Sequence, residues 1–273
     1  MTRKPTAAGT FYPADPQQLQ SMMQKQLLKA DVGALSECKA YVAPHAGYQY
    51  SGQIAANTYA AMQQAYAKKN FETIVIIGPN HTGYGRPIAV SFEDWQTPLG
   101  VVKNDRELSQ AIADMPDMYS DEIAHAFEHS IEVQLPFLQK CGIEASCVFI
   151  CMGDQSYEAC IALSNAIVMA AKAKKRKITI LASSDFNHYE AASVAKKKDV
   201  PAIDAALQLD AEKFHDLIHK NNDSACGYGP ITVATMFARR SGAKSGMLLK
   251  YATSGDFTND YNSVVAYASI VFA

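Results

Sequence analysis

The chain has 273 residues, 48% hydrophobic and 19% charged, which supplies a sizeable core and excludes a disordered or fibrous class. A formal net charge of −2 lacks the basic excess of a nucleic-acid binder, and no run approaches the roughly 20 apolar residues of a membrane span. The six cysteines form no Cys-x-x-Cys pair and the opening Met1–Thr6 carries no apolar signal core, so a reduced, cytoplasmic protein with neither nucleic-acid nor membrane partners is expected.

Asp15-Pro16 followed by Gln-, Leu- and Met-rich sequence predicts a capped first helix with Pro at its first position. Ala40–Pro44 reads as a short strand, followed by a loop and a helix from about Gln53 to Lys68. Phe71–Gly78 is a continuous β-branched run, the signature of a strand buried on both faces. Ala145–Met152 and Lys177–Ser183 are further strands of this kind, separated by a helix around Tyr157–Lys172. Ser130–Pro136 reads as an amphipathic helix. A helix from Ile203 to Lys220 precedes the turn-rich Asn221–Gly229, and Pro230 opens another to about Arg240. Two last strands, Met247–Thr253 and Ser263–Phe272, are placed to pair antiparallel. Strand–helix alternation predicts one α/β domain over residues 1–273, its largely parallel or mixed sheet covered by helices.

In open α/β sheets ligands bind beyond the carboxyl ends of the strands. Three of the seven histidines follow predicted strands: His45, His81 (after Asn80), and His188, which shares its loop with Ser184, Asp185 and Asn187. Pro44-His45-Ala46-Gly47-Tyr48 and Pro79-Asn80-His81-Thr82-Gly83-Tyr84 both place His-x-Gly-Tyr directly after a strand. Cys226 lies just before a predicted helix, whose free N–H groups lower a nearby thiol's pKa toward the metal-binding thiolate; alternatively it is a small residue in a tight turn. His125-Ala126-Phe127-Glu128-His129 matches the H-x-x-E-H pattern of inverzincins, a short pattern with many chance matches. The basic cluster Lys172–Lys177 reads as a solvated helix end, His215 and His219 as surface residues, and Trp95 as a pocket wall or a loop anchor.

Collinear segments carry a resemblance to a known family. They are Ala8–Pro13, Pro44–Tyr48 with Tyr50-Ser51-Gly52, Gly78–His81, Thr97–Gly100, Glu128–Glu132, Ser183–Tyr189 and Cys226-Gly227. Together they resemble the Memo family, whose prokaryotic members are called AmmeMemoRadiSam system protein B. The resemblance implies a fold similar to class III extradiol non-haem iron dioxygenases, in which two histidines and a carboxylate bind Fe(II). Carried over, His45 and His81 are metal ligands, His188 is the acid/base residue, and Cys226 stands in place of the carboxylate. Asp185 is then expected to orient one of these histidines, and Phe11, Tyr48, Tyr50, Asn80 and His129 to line the pocket. Iron or copper is implied by the family; imidazole plus thiolate also suits zinc.

Besides zinc hydrolysis through His125 and His129, two readings of function follow. One is a metal-dependent redox enzyme acting on an unknown small molecule. The other is a non-catalytic metal-binding or phosphopeptide-recognition module using the same pocket, as the motility signalling and phosphotyrosine binding of animal members imply. The system name implies AMMECR-type and radical-SAM proteins as partners.

Overall fold

Residues 1–35 and 37–273 are described by a computed structural model. The chain opens with β1 (Thr2–Arg3) and α1 (Pro16–Leu27), where Asp15 caps the helix by accepting the Gln18 N–H at 2.8 Å. β2 (Ala40–Ala43), α2 (Tyr48–Ala67) and β3 (Thr73–Pro79) follow. Next come β4 (Ile88–Ser91), β5 (Asp94–Thr97), β6 (Gly100–Val102), α3 (Arg106–Ala113) and β7 (Tyr119–Ser120). A single turn of 3₁₀ helix at Glu132–Gln134 then runs into α4 (Leu135–Lys140). The parallel pattern resumes with β8 (Ser146–Met152), α5 (Tyr157–Lys174), β9 (Ile178–Ser183) and β10 (His188–Glu190). The rest is α6 (Ala192–Leu207), α7 (Ala211–Lys220), α8 (Tyr228–Arg240), β11 (Gly246–Thr253), α9 (Gly255–Thr258) and β12 (Val264–Phe272).

The main sheet runs β10-β12-β2-β9-β3-β8-β4-β7, with β11 also paired to β12. Its middle, β2-β9-β3-β8, is parallel, whereas β12 is antiparallel to β2 and β4 antiparallel to β8, so the sheet is mixed. Every residue of β3 is buried because helices cover both faces. Val75 and Ile77 face a core shared with α3, α5, α6, α7 and α8. Ile74 and Ile76 face the opposite core, built with α1, α2 and α4. A small sheet, β1-β5-β6, carries the N-terminal segment. Among the described residues no helix is long and apolar enough to cross a membrane.

Two predicted helices are corrected. The span from Ile203 to Lys220 is not one helix: Leu209 adopts φ 59°, ending α6, and Asp210 begins α7 by accepting the Lys213 N–H at 3.1 Å. Ser130–Pro136, expected as an amphipathic helix, is helical only from Glu132, as a 3₁₀ turn running into α4, and has no solvent face. All seven residues are buried, because Glu132 is the anchor of the N-terminal segment. Its carboxylate accepts from Arg3, the backbone N–H groups of Thr6 and Ala7, and Tyr12 Oη.

Candidate metal centre

The parallel strands end on one side of the sheet, and each delivers a polar side chain there. β2 leads to His45, β3 to His81, and β9 ends in Ser183 with Asp185 two residues on. A ring nitrogen from each of His45, His81 and His129 lies within 4.8 Å of the other two. The loop bearing His129 packs against the end of β3 at Gly78, where a Cβ would collide with Ser130 Oγ. Cys226 arrives from the segment before α8, its Sγ 3.2 Å from His45 Nε2. That close approach needs Gly227, since a Cβ there would collide with the Ser183 carbonyl.

The surrounding hydrogen bonds fix which nitrogens are free. Ser183 Oγ donates to Ser130 O at 2.7 Å and accepts from the Gln134 amide at 2.7 Å. Its hydrogen is therefore committed, so His45 Nδ1, at 2.8 Å, must donate to it, leaving the His45 Nε2 lone pair toward Cys226. Glu128 does the same for His81. Its Oε1 lies 2.9 Å from His81 Nδ1 and 3.4 Å from His129 Nδ1, while it also accepts the His129 and Ser130 N–H groups at 2.9 Å. His188 Nδ1 faces the Ser224 carbonyl at 3.1 Å, an acceptor only, so that nitrogen carries the proton and Nε2 is basic.

Electrostatics agree with this assignment. Burial holds the His45 pKa well below the usual imidazole range, and neighbouring histidines push the same way. Burial lowers His129 to about 4 despite the Glu128 charge, and also lowers His188 against the opposing effect of the Ser224 carbonyl. Burial alone would raise Glu128, but its bond to His81 and the backbone donors bring it down to about 2. Asp185 is pushed up to about 7 by burial, although the N–H groups of His45 and Ala46 stabilise its charge. The Cys226 thiol departs from the lowered pKa expected near a helix start: burial and the Asp185 charge raise it. The Asp185 N–H, 3.3 Å from Sγ, nonetheless supplies a donor to a thiolate formed on metal binding.

His45, His81, His129, Asp185 and His188 face a cavity of about 630 Å³, within the usual range for small-molecule sites, whereas Cys226 and Glu128 lie outside its lining. Of the residues expected in the pocket, Phe11, Tyr50, His129, Asp185 and His188 line it, and Phe11 stacks on His129 with ring centroids 4.1 Å apart. Tyr48 and Asn80 do not line it. Tyr48 is buried with its hydroxyl on Val133 O, and Asn80 Oδ1 accepts from Thr82 and Gly83 to shape the loop after β3. His125 does not join His129 as the H-x-x-E-H pattern would require: the segment forms turns rather than a helix. Its ring bonds Ala89 O and lies edge-on to Trp95. Trp95 is wholly buried between Phe149 and the Arg3 guanidinium, a core residue of β5 and neither a pocket wall nor a loop anchor. His215 bonds Gln155 O, and that glutamine's amide in turn holds Cys226 O at 2.9 Å. Sequence reasoning missed Ser183, Glu128, Gln134 and Gln155; the β2–β9 register, pairing Ala43 with Ser183, is the signal that places Ser183 beside His45.

A mixed, helix-covered sheet with imidazoles gathered at the ends of its parallel strands defines an α/β protein with a histidine-rich centre. The family described as Memo-like protein matches residues 3–271, and the chain belongs to that family. It is 40% identical to a MEMO1 family protein of Methanosarcina barkeri over 271 residues, 98% of this chain and 99% of the relative. It is 42% identical to one from Archaeoglobus fulgidus over 272 residues, 99% of each chain. A third, from Methanocaldococcus jannaschii, is 38% identical across 98% of both.

Proposed function

We propose that the protein is a metal-dependent redox enzyme acting on a small molecule, with His45, His81 and Cys226 holding a transition-metal ion. Iron(II) or copper suits a set of two imidazoles and a thiolate, with zinc as a redox-inert alternative. The observation that carries this reading is the unprotonated Nε2 of His45, its tautomer set by Ser183, directed at Cys226 Sγ 3.2 Å away. Deprotonated thiol and neutral imidazole are the forms that bind metal. Bound there, such an ion supplies Lewis-acid and one-electron chemistry.

The chain's own groups do the remaining work. His188, with Nδ1 committed to Ser224 O, accepts a proton at Nε2 from a substrate O–H or N–H in the cavity. Asp185 fixes the His45 loop through the backbone N–H groups of His45 and Ala46 at 2.9 and 3.3 Å. Glu128 holds His81 and His129 in one orientation, and Phe11 stacks on the His129 ring.

Metal content separates this set from three imidazoles alone. Protein purified anaerobically is expected to carry stoichiometric iron or copper that His45→Ala and His81→Ala lose. Cys226→Ser is expected to lose it or to lose the thiolate charge-transfer band, while His129→Ala retains the metal. Full occupancy and an unchanged spectrum in Cys226→Ser, with loss in His129→Ala, would replace the cysteine by the third histidine. Oxygen consumption with a panel of phenols and amines then tests turnover.

A further inference from the structure

The charge of the cavity indicates what enters it. Among the described residues no lysine or arginine lines it, whereas two carboxyl groups, Asp185 and Asp260, do. Neutral His45 and His81 add no charge, and the Cys226 thiolate together with the Asp185 carboxyl balances a divalent ion held there, leaving Asp260 uncompensated at the mouth. A phosphate or carboxylate group would therefore leave water without the Arg or Lys partner that anion sites supply. The walls are aromatic: Phe11, Tyr50, Tyr189 and Tyr267.

Tyr189 stands out among these. It is 78% exposed at the mouth, and its backbone is left-handed at φ 62°. A bulky residue in that region costs about 1–3 kcal/mol and persists only where its surroundings impose it. Here β10 imposes it: His188 pairs with Val265 and Glu190 with Val264, and the irregularity between them turns the intervening residue outward. The Tyr189 ring is thus held at the opening, its centroid 5.6 Å from that of His188. An aromatic face together with a carboxylate is the chemistry that recognises ammonium groups.

We propose that the cavity takes a small aromatic ligand bearing an ammonium group, its ring against Phe11 and Tyr50 and its cation at the mouth where Tyr189 and Asp260 stand. The inference rests on the cavity being the ligand site proposed above, but not on which metal occupies it. Tyramine, p-cresol, 4-hydroxyphenylacetate and phenyl phosphate share one ring size and differ in charge. Calorimetric titration of the metal-loaded protein is expected to rank the ammonium compound tightest, at least about tenfold over either anion. Tyr189→Gly, which keeps the left-handed backbone free of strain, and Asp260→Asn are each expected to cut that preference about threefold or more. Metal content in both variants stays at the wild-type level. Equal or tighter binding of either anion, no binding of any of the four, or an unchanged preference in both variants would overturn the proposal. Because metal is quantified on the same samples, an anion preference with metal retained sinks the ligand class alone. Loss of metal from the wild type sinks the centre, not the charge argument.

Discussion

At the scale of single residues, the centre depends on a hydroxyl that holds a histidine from behind and does not line the cavity. Ser183 Oγ joins Gln134, Ser130 O and His45 Nδ1, and only its committed hydrogen forces the His45 tautomer. Ser183→Ala is expected to weaken metal binding by about 10–100-fold, read by competition with a chelator, and to lower stability by about 1–3 kcal/mol through unpaired buried groups. Unchanged affinity in the folded variant would show that the tautomer is set elsewhere. The histidines after strands were legible because a short apolar run marks the end of β2 and a β-branched run the end of β3. Ser183, Glu128 and Gln134 were not, since their roles depend on which strands lie side by side. His129 was legible as a pocket residue, but the H-x-x-E-H pattern tied it to His125. The real partner is Glu128, around whose carboxylate the backbone folds instead of forming a helix.

At the scale of elements, two devices hold the loops that carry the site. The first joins α6, the β9–β10 loop and the segment before Cys226. Asp199 accepts from Asn187 N at 3.1 Å and Tyr251 Oη at 2.6 Å, and shares a hydrogen bond with Asp223. Burial and the Asp223 charge push Asp199 up to about 8, and burial raises Asp223 as well. The folded pair thus keeps a proton that the unfolded chain releases in the ordinary carboxylate range. Its stabilisation is complete below that range and fades as pH climbs toward about 8. Glu190, Lys198 and Tyr251 are the other titratable groups against this cluster. Asp199→Asn removes the carboxyl that holds the proton, so urea melts at pH 5, 7 and 9 should show a flatter decline than the wild type. An identical decline would assign it to other groups. The second device is the N-terminal segment. Arg3 donates to Glu132 at 2.6 Å and to the carbonyls of His125 and Glu128 at 2.8 Å, clamping the loop that carries His129. Arg3→Ala strands a buried carboxylate and is expected to cost about 3–5 kcal/mol by chemical denaturation. A loss below ~1 kcal/mol would mean that Tyr12 and the backbone donors suffice.

At the scale of the whole molecule, the parallel centre of the sheet was readable because strands buried on both faces must be apolar throughout, as all of β3 is. The antiparallel pairing of β11 with β12 was readable too, from two β-rich runs separated by turn residues. The segment from β4 to β7 escaped notice because strands of two to four residues are too short to show a period. Helix α6 was only partly seen, its alanine-rich sequence and internal Pro201 giving no clear apolar stripe. One placement bears on how the protein is made. β12 is last in chain order among the described elements, yet it lies between β2 and β11 and pairs with β10 beside His188. Until Val264–Phe272 has left the ribosome, β2 presents an open edge and the floor beneath His188 is missing. Newly made chains therefore lack the complete floor of the cavity until this last strand has emerged and paired with β2 and β10.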